Sequence, residues 1–387
     1  MIWWWYSRME CLDQAHHLSE MPKRIPVNGT FELTVRCNLH CKMCMFRHDD
    51  SENPELMEKE LTANQWIDMA RQAAEAGTMS LLITGGEPML RPDFCEIWEG
   101  IYKQGFLITL YTNATLVTPK IMETLRKYPP HKIGVTIYGA SPETYGRVCG
   151  NADAYQQMLN GIRRLRQLPS EITFRTTLIQ DNFCDWKLID ELVKQEIDRN
   201  VVVTQACPVN KAVRGACADV EACRISPEQD MQMKTERILE TMHEIIGSTF
   251  DPHKFRIVRE NNSLESVNSK KTIATLFGCQ AGMSQYTITY DGKLLACQMI
   301  GAFFTEPLSD GFQKAWDNYP DRVHIPYKQG KCGSCKYIDT CQSCYGSRYA
   351  ETGDFNGCSD YIYRIAKARK EYESFMGGMD NEEECKL

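Results

Sequence analysis

Three thiols fall within eight residues near the start of the chain: Cys37, Cys41 and Cys44, in the run CNLHCKMC. Thiolates are ligands of zinc and of iron–sulfur clusters. Three thiols from one loop leave the fourth iron of a cubane free for an exogenous ligand, which a closed structural zinc site cannot offer. A second group lies far downstream: Cys279, Cys297, Cys332, Cys335, Cys341, Cys344 and Cys358. Its paired CxxC spacings also suit a zinc ribbon, so zinc stands as the alternative for that group.

The chain has 18 cysteines in 387 residues and no recognisable export signal. That combination predicts metal or redox chemistry in a reducing compartment, hence a cytoplasmic protein, rather than a disulfide framework. The net charge of -7 argues against a general polyanion binder. No apolar run approaches the roughly 18–20 residues that span a bilayer. The aromatic start, MIWWWYSRME, reads as a short packed segment, with an interfacial or substrate-contacting role as the alternative. Neither nucleic acid nor membrane is an expected partner.

Alternating elements must position the first thiols. The runs FELTVR (31–36), MSLLIT (79–84), FLITLYT (106–112), KIGVTIY (132–138), EITFRTTLI (171–179) and NVVVTQ (200–205) are apolar and rich in β-formers. Each is short enough for a buried parallel strand. Helical patterns separate them: Thr62 to Ala76 with Thr62 as N-cap, Asp93 to Gln104, Pro119 to Tyr128 capped by Thr118, Ala154 to Leu168, and Trp186 to Ile197. Six strand–helix units predict an open sheet or partial (β/α)6 barrel, with its site at the carboxyl ends of the strands. Cys37 directly follows the first such strand.

The predicted organisation is an N-terminal segment (1–30), the α/β core (31–206), a polar connector with one helix from Pro227 to Ile246 (207–271), a small cysteine-rich α+β module (272–370) and an acidic tail (371–387). The module opens on a hairpin turning at Asp291-Gly292.

CxxxCxxC at the end of a first strand resembles the radical S-adenosylmethionine (SAM) superfamily. Three further features resemble it too: Gly85-Gly86-Glu87-Pro88 after the second strand, Thr112-Asn113 ending the third, and Thr136-Ile137-Tyr138-Gly139 ending the fourth. The resemblance implies that Cys37, Cys41 and Cys44 hold a [4Fe-4S] cluster whose free iron is chelated by SAM. It implies that Gly85, Gly86, Glu87 and Pro88 contact the SAM amino group, with the glycines permitting close backbone approach. Thr112, Asn113 and Thr136 fall among the expected SAM contacts, Met43 replaces the usual aromatic residue near the adenine, and Arg175 is a candidate for the SAM carboxylate. Tyr138 stands where the family usually has an acidic residue, and Cys149 where it has an Arg.

The downstream cysteines resemble a SPASM domain, which binds auxiliary [4Fe-4S] clusters. The implied sets are Cys332, Cys335, Cys341 and Cys358 for one cluster, and Cys279, Cys297 and Cys344 for the other. The gap before Cys344 is one residue shorter than the family pattern. For the three-thiol set, either a distant residue such as Cys217 or Cys223 completes it, or one iron is open to substrate. Cys95, Cys149 and Cys184 read as buried small hydrophobes. His40, His48 and Asp49 read as solvated or supporting groups, and Tyr138, Tyr286 and Tyr290 as packing residues. Cys207, Cys11 and Cys385 have no assigned role.

The resemblance implies an enzyme that reductively cleaves SAM and abstracts hydrogen from a substrate, with a reductant such as flavodoxin or ferredoxin as partner. The first expectation for the substrate is a peptide or protein side chain, to be crosslinked or oxidised. The second is a small molecule, to be decarboxylated, epimerised or dehydrogenated. A non-catalytic iron–sulfur or zinc protein is the third.

Overall fold

The computed structural model describes residues 24–46, 54–196, 203–205, 209–211, 214, 219–247, 276–277, 279–325, 331–341 and 343–377. Cys11, His48, Asp49, Cys207, Cys217 and Cys385, the N-terminal aromatic run and the acidic tail lie outside the described residues. Each apolar run contributes a strand: β1 (Asn28–Glu32), β2 (Ser80–Thr84), β3 (Leu107–Thr112), β4 (Lys132–Thr136), β5 (Glu171–Thr176) and β6 (Val203–Gln205). β1 begins and ends earlier than its apolar run, so Leu33 to Arg36 leave the sheet as an ordered loop leading to Cys37. Two further strands, β7 (Gln285–Ile288) and β8 (Leu294–Leu295), form the hairpin turning through Asp291-Gly292.

The strands make one sheet in the order β6-β5-β4-β3-β2-β1-β7-β8. All pairings from β6 to β7 are parallel, and only β7–β8 is antiparallel. The hairpin of the cysteine-rich region therefore extends the core sheet: Asn28 pairs with Gln285 on one side and with Ser80 on the other. β1 is an interior strand, and its carboxyl end is flanked by chain from both regions.

The helices are α1 (Ala63–Glu75), α2 (Phe94–Tyr102), α3 (Pro119–Lys127), α4 (Pro142–Cys149), α5 (Ala154–Leu165), α6 (Trp186–Glu196), α7 (Pro227–Ile246), α8 (Tyr345–Thr352) and α9 (Asp360–Gly377), with shorter turns between. Thr62 caps α1 in a reciprocal capping box with Gln65, which satisfies two of the helix's orphan donors. Thr118 caps α3 ahead of Pro119. Trp66 of α1 is fully buried against Phe31 of β1, ring centroids 5.0 Å apart. Trp98 of α2 is also buried, and its indole N–H donates to Tyr128 O at 2.9 Å. These contacts lock the helices on one face of the sheet.

The helix α4 falls in a stretch that strand–helix counting passed over. Its signal is local: Ser141 caps it, Pro142 opens it, and Gly150 closes it in the left-handed conformation at φ 75°. α4 matters because its last turn grips the first cysteine loop.

Candidate active site

The loop Cys37–Cys44 is held by backbone before any side chain acts. His40 N donates to Cys149 O at 2.9 Å and Lys42 N donates to Val148 O at 3.0 Å, so the end of α4 clamps the loop's middle. Cys44 N donates to Cys41 O at 3.2 Å. Cys37 Sγ accepts from Leu39 N at 3.4 Å and from Asn113 Nδ2 at 3.8 Å. Cys41 is buried, while Cys37 and Cys44 are half-buried. All three border one cavity and feel one another's charge.

Burial pushes the Cys37 thiol up to about 12. Cys41 is also raised, by donating to Cys149 and by burial. Both thiols are therefore protonated at neutral pH until something cationic claims them. Among the described residues, no three His, Cys, Asp or Glu side chains gather tightly enough to hold a single metal ion. Three loop thiols facing one cavity are a donor set suited to a cubane with one free corner, and the nearby Cys149 thiol does not line that cavity.

The two glycines after β2 lie against this loop's root. Gly86 N donates to Thr34 O at 2.7 Å, and Glu87 N donates to Arg36 O at 2.9 Å. A Cβ on Gly85 would sit 2.4 Å from Thr34 O, and one on Gly86 would sit 2.1 Å from Arg36 O. Gly85 also has φ 144°. The close approach that these glycines permit is thus to the chain's own backbone, while their other side borders the cavity with Thr84.

Glu87 and Pro88 do not border the cavity; both are buried behind it. The Glu87 carboxylate accepts from Asn113 N at 2.8 Å, from Met89 N at 3.1 Å and from the Thr112 hydroxyl at 3.0 Å to each oxygen. Burial raises its pKa to about 7 against those hydrogen bonds. Its visible role is to join the end of β2 to the end of β3. That leaves Asn113 free to reach Cys37 and to donate to Asn38 Oδ1 at 3.0 Å.

The cavity measures about 350 Å³ and opens at the carboxyl ends of β1–β5. Met43, Thr112, Asn113, Thr136 and Arg175 all border it. Sequence reasoning missed Leu39, Met45, Phe46, Tyr111, Val209, Asn210, Lys211 and Met299, which also border it. Tyr111, Gly134 and Arg175 are layered. A Cβ at Gly134 would lie 2.6 Å from the Tyr111 ring, and the Arg175 guanidinium stacks 3.6 Å above that ring while donating to its hydroxyl at 2.5 Å. Such stacking suits the flat, weakly hydrated guanidinium. Among the described residues, the lining includes Arg175 and Lys211, whose ammonium also lies 3.6 Å from Glu221, but no Asp or Glu.

Tyr138, expected as a packing residue, borders the cavity with Cys37, Cys41 and Cys44. Burial holds its hydroxyl well above the ordinary phenol range, so it remains a donor. Cys149 is buried, as expected for a small hydrophobe, but it also contacts the Cys41 thiol. Cys184 is exposed, and Cys95 is half-buried, because each lies on the outer side of its element. His40 is exposed. Tyr286 packs between Phe312 and Trp316, its hydroxyl 3.0 Å from that of Thr78, and Tyr290 lies beside a neighbouring cavity.

The downstream thiols fall into two neighbourhoods. A Cβ on Gly346 would lie 3.4 Å from Cys297 Sγ and 3.7 Å from Cys344 Sγ, and Cys297 also feels the charge of Cys279. Burial pushes Cys297 up to about 11. Cys344 caps α8. Cys358 feels the charges of Cys341, Cys332 and Cys335. Cys223 ends the short helix Val220–Cys223, its carbonyl accepting from Gln180 N at 2.8 Å.

Arg214, in the connector, links the two regions. Its guanidinium makes a bidentate pair with Glu32 of β1 at 2.6 and 2.7 Å, and its Nε donates to Gln298 O at 2.8 Å. Glu32 is almost fully buried, and its pKa is raised by burial against the pull of Arg214. A second missed network anchors the loop root. Arg36 and Arg91 share Glu60, at 2.7 and 3.3 Å, and Arg91 donates to Leu33 O at 2.9 Å.

Residues 31–193 match the Radical SAM superfamily. An AdoMet-dependent heme synthase of Methanosarcina barkeri (strain Fusaro / DSM 804) is 30% identical over 352 residues, covering 87% of this chain and 96% of that protein. An Fe-coproporphyrin III synthase of the same organism is 21% identical, covering 87% of this chain and 89% of that protein. Streptococcus suis SuiB bound to S-adenosylmethionine superposes with a TM-score of 0.61 at 16% identity, covering 88% of this chain and 77% of that one. Native anSMEcpe with bound AdoMet superposes with a TM-score of 0.63 at 13% identity, covering 90% and 97%. The two superpositions show a shared fold.

Proposed function

The chain belongs to the radical SAM superfamily, and from that premise we propose that it acts on a carboxylated small molecule of the iron-tetrapyrrole class. The observation that carries this reading is the cavity lining: thioethers and aromatics beside Thr and Asn side chains, two cations and, among the described residues, no carboxylate, in a protein whose net charge is -7. An apolar wall with a few convergent charges suits a flat, greasy, anionic ligand. The names of the heme and Fe-coproporphyrin III synthases point to the same class. This favours the small-molecule expectation over the peptide one.

Cys37, Cys41 and Cys44 would hold the [4Fe-4S] cluster, and Gly85, Gly86, Thr112, Asn113, Thr136 and Met43 would border bound SAM. When present, SAM and the cluster supply the carbon radical that abstracts hydrogen. The chain's own residues do the rest. Arg175 and Lys211 orient carboxylates by charge-assisted hydrogen bonds. Leu39, Met45, Phe46 and Val209 exclude water and fix the distance between the reacting groups. The reaction class is oxidative decarboxylation of a propionate side chain to a vinyl group. One hydrogen atom leaves the carbon next to the ring, carbon dioxide is lost from the neighbouring carbon, and one electron passes to an acceptor.

We assign that acceptor role to the C-terminal cysteines, read as a SPASM-type module. Cys332, Cys335, Cys341 and Cys358 would hold one auxiliary cluster, and Cys279, Cys297 and Cys344 the other. A flavodoxin or ferredoxin would provide the initiating electron.

The test is anaerobic incubation of reconstituted protein with SAM, dithionite and Fe-coproporphyrin III. The expected result is 5′-deoxyadenosine together with porphyrin that has lost carbon dioxide and two hydrogens per reacted side chain. Deoxyadenosine formation without any change in porphyrin mass refutes the substrate assignment and returns the peptide reading.

A further inference from the structure

A second cavity adjoins the first. It measures about 390 Å³, and Phe46 borders both. Val35, in the loop leading to Cys37, lines the second cavity as well. The rest of its lining includes Tyr290 and Lys293 from the β7–β8 hairpin, Tyr349 of α8, and Arg214.

These groups are held in place by their own contacts. Tyr290 O accepts from Leu61 N at 2.9 Å. Across the hairpin turn, Thr289 N donates to Lys293 O at 2.9 Å and Lys293 N donates to Thr289 Oγ1 at 3.0 Å. The Tyr349 ring stacks on Phe355, with centroids 4.5 Å apart and planes 11° apart. The Arg214 guanidinium lies 5.3 Å from the Phe46 ring centroid. Three of its five N–H donors go to Glu32 and Gln298 O. The Lys293 ammonium carries three donors and meets Asp291 at 2.7 Å. The second cavity thus combines flat aromatic faces with two cations fixed by neighbouring carboxylates.

The first cavity is small for its proposed load. Its volume of about 350 Å³ lies near the lower end of the roughly 300–1,000 Å³ that hold one drug-sized ligand. Under the proposed function it must admit SAM and the reacting edge of a macrocycle together. A rigid macrocycle cannot fold to fit, so its opposite edge needs room beyond Phe46.

We propose that the second cavity is the distal half of the substrate site: the edge of the macrocycle away from the reacting carbon passes Phe46 and places a carboxylated side chain against Lys293 and Arg214. The inference rests on the iron-tetrapyrrole reading of this chain and adds a subsite to it. Asp291 shares the lining, so recognition there comes from directed, charge-assisted hydrogen bonds rather than from net positive charge.

The experiment uses the full chain, reconstituted anaerobically and saturated with SAM, with no reductant. Binding of Fe-coproporphyrin III and of its tetramethyl ester is followed by the porphyrin absorbance in the native chain, Lys293→Met and Ala302→Trp. SAM affinity is measured alongside by calorimetry. If the native chain binds no Fe-coproporphyrin III, the tetrapyrrole reading fails and the inference falls with it. With native binding present, Lys293→Met is expected to weaken the tetra-acid about 10-fold or more and to leave the ester within about twofold. Ala302→Trp adds an indole to the lining of the second cavity and is expected to weaken acid and ester alike. Tetra-acid affinity that stays native in either variant, or a Lys293→Met loss equal for acid and ester, overturns the subsite while leaving the tetrapyrrole reading in place. If Lys293→Met also loses SAM binding, Lys293→Gln, uncharged but polar, replaces it under the same criteria.

Discussion

At the scale of single residues, charge and burial decide roles that residue type leaves open. Glu87 belongs to a motif expected to face SAM, yet its carboxylate is fully buried and spends its lone pairs on Thr112, Asn113 and Met89. Its pKa near 7 has a thermodynamic consequence. A carboxyl whose folded value is raised contributes most below the ordinary carboxylate range, and stability falls as pH climbs from there toward 7. Unfolding free energies of the apoprotein from urea titration at pH 5 and pH 8 should therefore differ more in the native chain than in Glu87→Gln, by on the order of 2 kcal/mol. Arg175 and Lys211 give a second prediction. Lys211→Met should raise KM for a carboxylated substrate about 10-fold or more while 5′-deoxyadenosine formation without substrate is unchanged, as steady-state kinetics would show. That Cys37, Cys41 and Cys44 share one loop was legible from spacing alone. The hydrogen bonds that orient Glu87, Tyr138 and Cys149 were not, because they join residues from different strands and helices.

At the scale of elements, local signals carried far. Thr62, Thr118 and the apolar stripe of α1 are all visible as text, and the helices begin at those caps. Strand ends were less legible: β1 stops at Glu32, and the apolar residues after it pack as loop. Leu33, Thr34 and Val35 are buried and Arg36 half-buried, with Gly85 and Gly86 lying against Thr34, Val35 and Arg36, a contact no periodicity reports. Removing the side chain that seats α1 on β1, Trp66→Ala, should cost about 3–5 kcal/mol in chemical denaturation. Gly134→Val should displace Tyr111 and with it the stacked Arg175. Its expected signature is weaker ligand binding by calorimetry with far-UV circular dichroism unchanged.

At the scale of the whole molecule, the two cysteine-bearing regions share one sheet and one ion pair. The connector's Arg214 reaches Glu32 of β1 and Gln298 beside Cys297. Breaking one side of a buried pair strands the other charge. Arg214→Met should thus destabilise by about 3–5 kcal/mol and speed hydrogen exchange in both β1 and β7, a joint response that mass spectrometry can localise. The alternation of strands and helices foretold the core, whereas the pairing of β7 with β1 had no sequence signal. It depends on residues such as Arg24 and Gly282, which are hydrogen-bonded at a separation of 258 positions. Among the described residues, no helix is long and apolar enough to cross a membrane.

The interior position of β1 also sets an order of events during synthesis. A ribosome releases β1 to β6 long before β7 exists, so the strand leading to Cys37 first meets solvent as an unpaired edge. Such edges invite wrong partners until they are covered. The nascent core must wait for nearly three quarters of the chain before its first strand is sealed. Iron delivered before the seal would meet a loop whose root is already pinned by Gly86, Glu60 and Arg91; iron delivered after it would meet the same loop with the β7 side of its strand covered.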